Sequence, residues 1–139
     1  LIAVIFGMVG CVQTTSLQTE SLERVSMGAS MGVHDVSCTR IRESIAQQLS
    51  KLDIPYEWRD KNEGMLSVGP FVEDIGSANT YSRIRQSYYL EITCSDELTT
   101  SISGDAILEG LGKTGQWVWI NDPVTIEKHS MWFLQRLDL

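Results

Sequence analysis

The chain has 139 residues, of which 42% are hydrophobic, and a formal net charge of −7 at pH 7. This length suits one domain with a substantial apolar core. The acidic balance, without a cluster of Lys and Arg, argues against nucleic-acid binding, because phosphates require a basic surface, and against electrostatic docking on anionic lipid.

An uncharged apolar run, LIAVIFGMVG, opens the chain and ends at Cys11. A membrane-spanning helix needs roughly 20 apolar residues. This run has about half of that, which is typical of the apolar region of a secretory signal. The basic segment and the initiator Met that normally come first are missing, so we expect the true start to lie upstream. The alternative is a buried first strand, since this run contains four good strand formers, Ile2, Val4, Ile5 and Phe6.

The four residues Met8-Val9-Gly10-Cys11 resemble the lipobox of bacterial lipoproteins, with Met8 at the position where Leu is commonest. The resemblance implies that residues 1–10 are a signal-peptide fragment, cut off before the cysteine. It also implies that Cys11 carries a diacylglyceryl thioether and an N-acyl chain, which together anchor a protein stably. Because Val12 rather than Asp follows the cysteine, analogy with enteric lipoprotein sorting implies the periplasmic face of the outer membrane.

Residues 11–33 are predicted to form the lipidated cysteine and a polar tether, because the residues after the cysteine are rich in Gln, Thr, Ser and Gly and show no sustained periodicity. Residues 34–139 are predicted to form a single domain. Of the three cysteines, lipidation of Cys11 leaves Cys38 and Cys94, a pair that can form a disulfide in the periplasm. We expect both at core-facing positions, with two buried free thiols as the alternative.

A helix is predicted over residues 36–52, with Asp35 as its N-cap and Pro55 preventing its continuation. Apolar residues recur there at steps of three and four, and therefore share one face of the helix. That face consists of Cys38, Ile41, Ile45, Leu49 and Leu52.

Five strands are predicted in the middle of the chain. They cover residues 54–59, 65–69, 82–94, 99–108 and 116–120. The first two form a hairpin around DKNEG. In 82–94, apolar and polar residues alternate as they do in an antiparallel strand with one buried face. Its apolar face consists of Ile84, Tyr88, Leu90, Ile92 and Cys94.

The chain closes with a predicted helix that has Asp122 as its N-cap and Pro123 at its first position. One face of this helix consists of Ile126, Ser130, Phe133 and Leu137. The element order predicts an α+β fold. It is a two-layer sandwich, in which an antiparallel sheet of about five strands packs on an N-terminal helix and a C-terminal helix.

This order resembles small lipoprotein domains of the helix-grip type, including those of the C lipoprotein of the bacterial barrel-assembly machinery. The shared features are a lipidated cysteine, a polar tether, an amphipathic helix, a hairpin, long antiparallel strands and a closing helix. The resemblance covers residues 34–139. It implies a non-catalytic part of a cell-envelope complex.

Patterns that would indicate catalysis or a cofactor are incomplete. GLGKTG lacks the first glycine of a phosphate-binding loop, since Ile107 stands at that position, and it lies between two strands. His34 and His129 have no second ligand-type residue at the spacing of a metal site except Glu127, and one such neighbour does not make a site. Ser130 beside His129 is not a nucleophile and its base, because adjacent helical residues point about 100° apart. We therefore predict no enzyme, no cofactor, no metal and no nucleotide.

The predicted last strand, QWVWI, is apolar on both sides. We expect Val118 and Ile120 to face the core, because their β-branched side chains suit a sheet interior. Trp117 and Trp119 would then face outward, since a two-layer fold covers only one side of its sheet. Tryptophans are enriched in binding hot spots, so this pair is the candidate partner-binding surface.

The leading functional hypothesis is a non-catalytic, lipid-anchored module that binds a protein partner in a cell-envelope assembly. The alternative is a carrier for a small apolar ligand held between sheet and helix, in a pocket lined by Tyr56, Tyr88 and Leu90. The two remaining tryptophans, Trp58 and Trp132, are expected in the core.

Overall fold

The structure, a computed structural model, describes residues 23–76 and 79–139. In these two ranges the chain forms seven strands and two helices. In chain order they are β1 (Val25–Ser26), β2 (Met31–His34), α1 (Cys38–Lys51), β3 (Tyr56–Asp60), β4 (Met65–Asp74), β5 (Arg83–Asp96), β6 (Thr99–Leu111), β7 (Trp117–Ile120) and α2 (Pro123–Arg136). The signal fragment 1–10, Cys11 and the first part of the tether lie outside the described residues.

The seven strands belong to one antiparallel sheet, so the predicted α+β class is confirmed. Strands β6, β5, β4 and β3 lie side by side in that order. The other edge of β6 pairs with three short strands in turn, first β2, then β1, then β7. The sheet therefore has seven strands rather than about five, because β2, β1 and β7 lie end to end along the same edge of β6.

Both helices contribute to the core on one face of the sheet. Strand β5 buries alternate residues there, including Tyr88 and Leu90. Phe133 of α2 stacks on Tyr88. The helix α1 adds Ile41, Ile45 and Leu49 to the same continuous cluster. The opposite face of the sheet carries neither described helix, and we call it the outer face.

The helix α1 follows its predicted stripe, since the three isoleucine and leucine residues named above are buried. Its N-cap is not Asp35, as we predicted, but Ser37, whose hydroxyl accepts a hydrogen bond from the Arg40 N–H at 3.3 Å. Asp35 has a positive φ of 67°, which does not suit an N-cap. Leu52 is 41% exposed rather than buried, because the helix ends at Lys51 and Leu52 is its C-cap.

The helix α2 begins as predicted. The Asp122 carboxylate accepts hydrogen bonds from the N–H of Thr125 at 3.1 Å and from its hydroxyl at 2.6 Å, and Pro123 opens the helix. The predicted face is confirmed, since all four members are buried. They are Ile126, Ser130, Phe133 and Leu137.

Strand β1 and the first three residues of β2 lie within residues 11–33, which we predicted to be a tether. Val25 pairs with Ala106 and Met31 with Ile102, both on β6, and Met27 between them is fully buried. The segment from Val25 onward is therefore part of the sheet and not of a tether. Strands of two and four residues are too short to show a period, and the residues that they pair with on β6 are 65 to 81 positions further along the chain.

Candidate functional site

Trp117 and Trp119 lie on the outer face, as their register shows. Ile120 is 3% exposed and belongs to the core. Side chains alternate along a strand, so Trp119 and Trp117 point to the other face. Trp119 lies opposite Glu109 and Trp117 opposite Leu111, both on β6. Both indoles are half-buried.

Val118 does not take the buried position that we predicted for it. It is 47% exposed, whereas Ile120, two residues on, is buried as predicted. Val118 lies on an edge strand, and its cross-strand neighbour on β6 is Gly110, which has no side chain to cover it. Of the two aliphatic residues of β7, only Ile120 is therefore buried in the core.

Arg85 connects β5 and β6 to Trp117 on the outer face. Its Nε and Nη2 donate to the two carboxylate oxygens of Glu109 at 2.8 and 2.9 Å. The guanidinium carbon lies 4.3 Å from the centre of the Trp117 ring system. The hydrogen bonds to Glu109 raise the pKa of the Arg85 guanidinium above its ordinary value. A bidentate pair fixes the orientation of the arginine, so this part of the surface is pre-organised.

A second aromatic residue of the outer face, Tyr89, lies between two arginines. The guanidinium carbon of Arg24 is 3.7 Å from the centre of the Tyr89 ring, and that of Arg59 is 5.5 Å away. Such cation–π contacts hold charged groups over apolar rings. The outer face thus combines aromatic rings with arginines, the two kinds of side chain that dominate binding hot spots.

The solvent side of α2 forms a competing apolar surface, the α2 stripe, which consists of Val124, Lys128, Met131 and Trp132. Val124 is 75% exposed, Met131 43% and Trp132 47%. The stripe lines a groove of about 360 Å³, and Lys128 Nζ lies 4.8 Å from the Trp132 ring.

Our expectation that Trp132 is in the core is wrong, because this residue is 47% exposed. Phe133 takes the core position, and adjacent helical residues point about 100° apart.

The structure brings Cys38 and Cys94 to disulfide distance, with their Cα atoms 6.0 Å apart, in agreement with the predicted pairing. Their surroundings differ from the prediction, since Cys38 is half-buried and Cys94 is exposed. The reason is that β5 continues past the core, and the pair joins its end to the first residue of α1. Cys11, the predicted lipidation site, lies outside the described residues.

A polar chain that we did not predict runs from the core to the surface. The Tyr88 hydroxyl donates to the Gln86 side-chain oxygen, and the Gln86 amide donates to Glu73. Glu73 also pairs with Arg136 of α2. Tyr88 is fully buried, and this burial raises the pKa of its hydroxyl. The signal in the sequence was Gln86 at a core-facing position of an alternating strand, where a polar side chain needs buried partners.

The predicted lining of a carrier pocket is not assembled. Tyr88 and Leu90 are fully buried, whereas Tyr56 is 36% exposed. The ring of Phe133 occupies the space against Tyr88. The structure has a second groove, beside Trp58 on β3. None of the three predicted lining residues borders this groove or the groove of the α2 stripe.

The described residues contain no group of three or more His, Cys, Asp or Glu that could hold a metal ion. His129 is buried within α2, where its ring meets Trp132 edge-on at 5.1 Å, and His34 is exposed at the end of β2. Burial, and then the charge of Lys128, lower the pKa of His129. The two histidines therefore lie in different elements and different environments.

Within the described ranges, neither helix has the length and apolar character needed to cross a membrane. Comparison with protein-family models gives no match, and comparison with curated proteins gives none either. The outer face and the α2 stripe are therefore the features of the described residues that bear on function.

Proposed function

We propose that the protein is a non-catalytic, lipid-anchored interaction module on the periplasmic face of the bacterial outer membrane, an accessory or scaffold subunit of a cell-envelope assembly. The observation that carries the proposal is the outer face. There Trp117 and Trp119 lie two residues apart on the same face of β7, and Arg85 stacks on Trp117. Contiguous apolar surface on a folded domain commonly marks an interface.

The fixed arrangement of this surface favours binding of a protein partner. Glu109 holds Arg85, and Arg85 in turn restrains the Trp117 ring. A partner therefore meets side chains that have already lost much of their rotamer freedom, which lowers the entropic cost of association. The indole N–H of Trp119 is buried without an acceptor among the described residues, so this ring contributes apolar area rather than a hydrogen bond.

The proposed anchor is supported by the sequence MVGC at residues 8–11, which resembles a lipobox. The resemblance to helix-grip lipoprotein domains is also part of the proposal. It is supported by two long antiparallel strands, β5 and β6, with the closing helix α2 in the core beside them. In this view the lipid holds the domain at the membrane and the outer face meets the partner.

The anchor is tested by Cys11→Ala in the full-length protein. We expect the variant to leave the membrane fraction or to keep its signal segment, because acyl chains can no longer be attached. Cys38→Ala is the matched control, since it removes a different cysteine and should fractionate with membranes. Equal membrane fractionation of Cys11→Ala and the wild type, with the signal segment removed from both, would contradict the lipid anchor.

The partner surface is tested by the double variant Trp117→Ala with Trp119→Ala. Tagged protein is purified from solubilised envelopes, and co-purifying proteins are identified by mass spectrometry. We expect the double variant to lose partners that the wild type retains, with a near-native melting temperature. Trp132→Ala is the matched control because it removes an exposed indole from the α2 stripe. Loss of partners only in Trp132→Ala would assign binding to that stripe instead.

A further inference from the structure

The strand β3 forms an open edge of the sheet. It pairs with β4 on one side, and no described strand pairs with its other side. Four of its five residues are exposed, and Trp58 in the middle is half-buried. An open edge offers unpaired N–H and C=O groups to another strand.

The direction of these backbone groups follows from one hydrogen bond next to the strand. The Pro55 carbonyl accepts from the Gly69 N–H of β4 at 2.7 Å. Backbone groups alternate in direction along an antiparallel strand, so those of Glu57 also point toward β4. The N–H and C=O groups of Tyr56 and Trp58 therefore point away from the sheet.

We propose that two copies of this chain associate through their β3 edges, as an antiparallel strand pair with its two-fold axis at Trp58. The strand sequence YEWRD is complementary to itself in this register. Trp58 meets Trp58 of the second copy as a hydrogen-bonded pair, because its backbone groups point outward. Glu57 of each copy lies opposite Arg59 of the other, which gives two opposite-charge pairs across the axis.

The charges that would pair lie on one face of the sheet. Glu57 and Tyr89 are both cross-strand neighbours of Ser67, so Glu57 is on the outer face. A β-bulge follows Trp58, yet Arg59 remains on the outer face, since its guanidinium carbon is 5.5 Å from the Tyr89 ring. Both charged side chains are exposed, and neither forms an ion pair with another described residue.

A groove on the other face provides room for the central tryptophan. It has a volume of about 440 Å³ and lies between α1 and the β3–β4 hairpin, beside Trp58. Its lining residues are Thr39, Arg42, Glu43, Ala46, Gln47, Trp58, Lys61 and Asn62. Paired strands lie about 4.8 Å apart. At that spacing the Trp58 side chain of the second copy would reach this groove and cover the side chain of Ala46. Each copy would thus bury its central indole against the other.

Charge on an edge strand often prevents pairing between copies, chiefly where like charges would meet. In β3 the order of the charges has the opposite effect. Glu57 and Arg59 flank the central residue symmetrically, so an antiparallel copy brings unlike charges together. A parallel copy in register would bring Glu57 against Glu57, which disfavours that arrangement.

The test exchanges the charges of β3 and measures how much of one full-length copy is captured by another copy in detergent. The two copies carry different tags, and capture of one is followed by quantification of the other. We expect Glu57→Arg in both copies to reduce co-capture on the order of tenfold, because two arginine pairs then face each other. Arg59→Glu in both copies should do the same. Glu127→Arg, an exposed charge reversal on α2 and not on this edge, is the matched control and should leave co-capture unchanged.

Two combinations should restore association. A Glu57→Arg copy mixed with an Arg59→Glu copy again has unlike charges at both positions, and so does the double exchange in a single chain. Circular dichroism melts establish that every variant is folded. Wild-type co-capture no higher than that of Glu57→Arg, or failure of both combinations to recover it, would overturn the proposal. Neither result bears on the lipid anchor or on Trp117 and Trp119.

Discussion

The rings of Tyr88 and Phe133 are stacked, with centroids 4.2 Å apart and planes inclined by 6°. Phe71 contacts both, at centroid distances of 6.2 Å from Tyr88 and 6.0 Å from Phe133. Aromatic side chains of β4, β5 and α2 therefore meet at one point of the core. This contact holds the closing helix on one face of the sheet and so determines which face remains uncovered by α2.

Replacement of Phe133 should lower stability strongly. Phe133→Ala removes a ring that is 2% exposed and leaves a cavity against Tyr88. We expect a loss of about 3–5 kcal/mol in the free energy of unfolding, measured by urea denaturation. Phe133→Leu, which keeps most of the volume, should cost clearly less. Equal stability of Phe133→Ala and the wild type would show that α2 is not held by this contact.

The Cys38–Cys94 pair should be oxidised and should stabilise the fold. The two cysteines are 56 residues apart in sequence. On the chain-entropy model, closing a loop of this size contributes about 4 kcal/mol. Non-reducing mass spectrometry should find the mature protein lighter by two hydrogens, and reduction should lower the midpoint of urea denaturation. Two freely alkylated thiols in the folded, unreduced protein would contradict the pairing.

His129 should make stability depend on pH in the acidic range. Its pKa is lowered in the folded state, so the unfolded chain binds a proton there more readily. The resulting stability is present above the ordinary histidine pKa of about 6.5 and is lost as the pH falls through the folded-state value. We expect urea midpoints to fall between neutral pH and pH 5, and to fall less in His129→Gln. The same pH slope in both proteins would rule out this role.

The long elements could be predicted from local patterns. The stripe of α1 contains Ile41 and Ile45 at a spacing of four, and the alternation around Tyr88 and Leu90 identifies β5. Asp122 followed by Pro123 marks the start of α2. In each case the side chains that enter the core repeat at the period of their own element, so sequence spacing alone identifies them.

The sheet edge could not be predicted in this way. β1 has two residues, and its place beside Ala106 is set by long-range pairing with β6. The periodicity of the local sequence carries no information about such pairing. The exposure of Val118 depends on Gly110 across the strand, again a non-local neighbour. The same is true of the candidate site. The indoles were evident from the sequence, but the Arg85 that stacks on Trp117 could be found only from the register.

We propose above that a protein partner binds the outer face of the sheet. The most direct test of this binding is photo-crosslinking in intact cells from a photoreactive amino acid placed at Val72 or, separately, at Val124. Val72 is 49% exposed and lies beside Arg85 in the sheet, on the outer face, whereas Val124 is 75% exposed on the α2 stripe. We predict adducts with an envelope protein from position 72 and none from position 124. Adducts from position 124 alone, or from neither position, would contradict binding of a partner at the outer face.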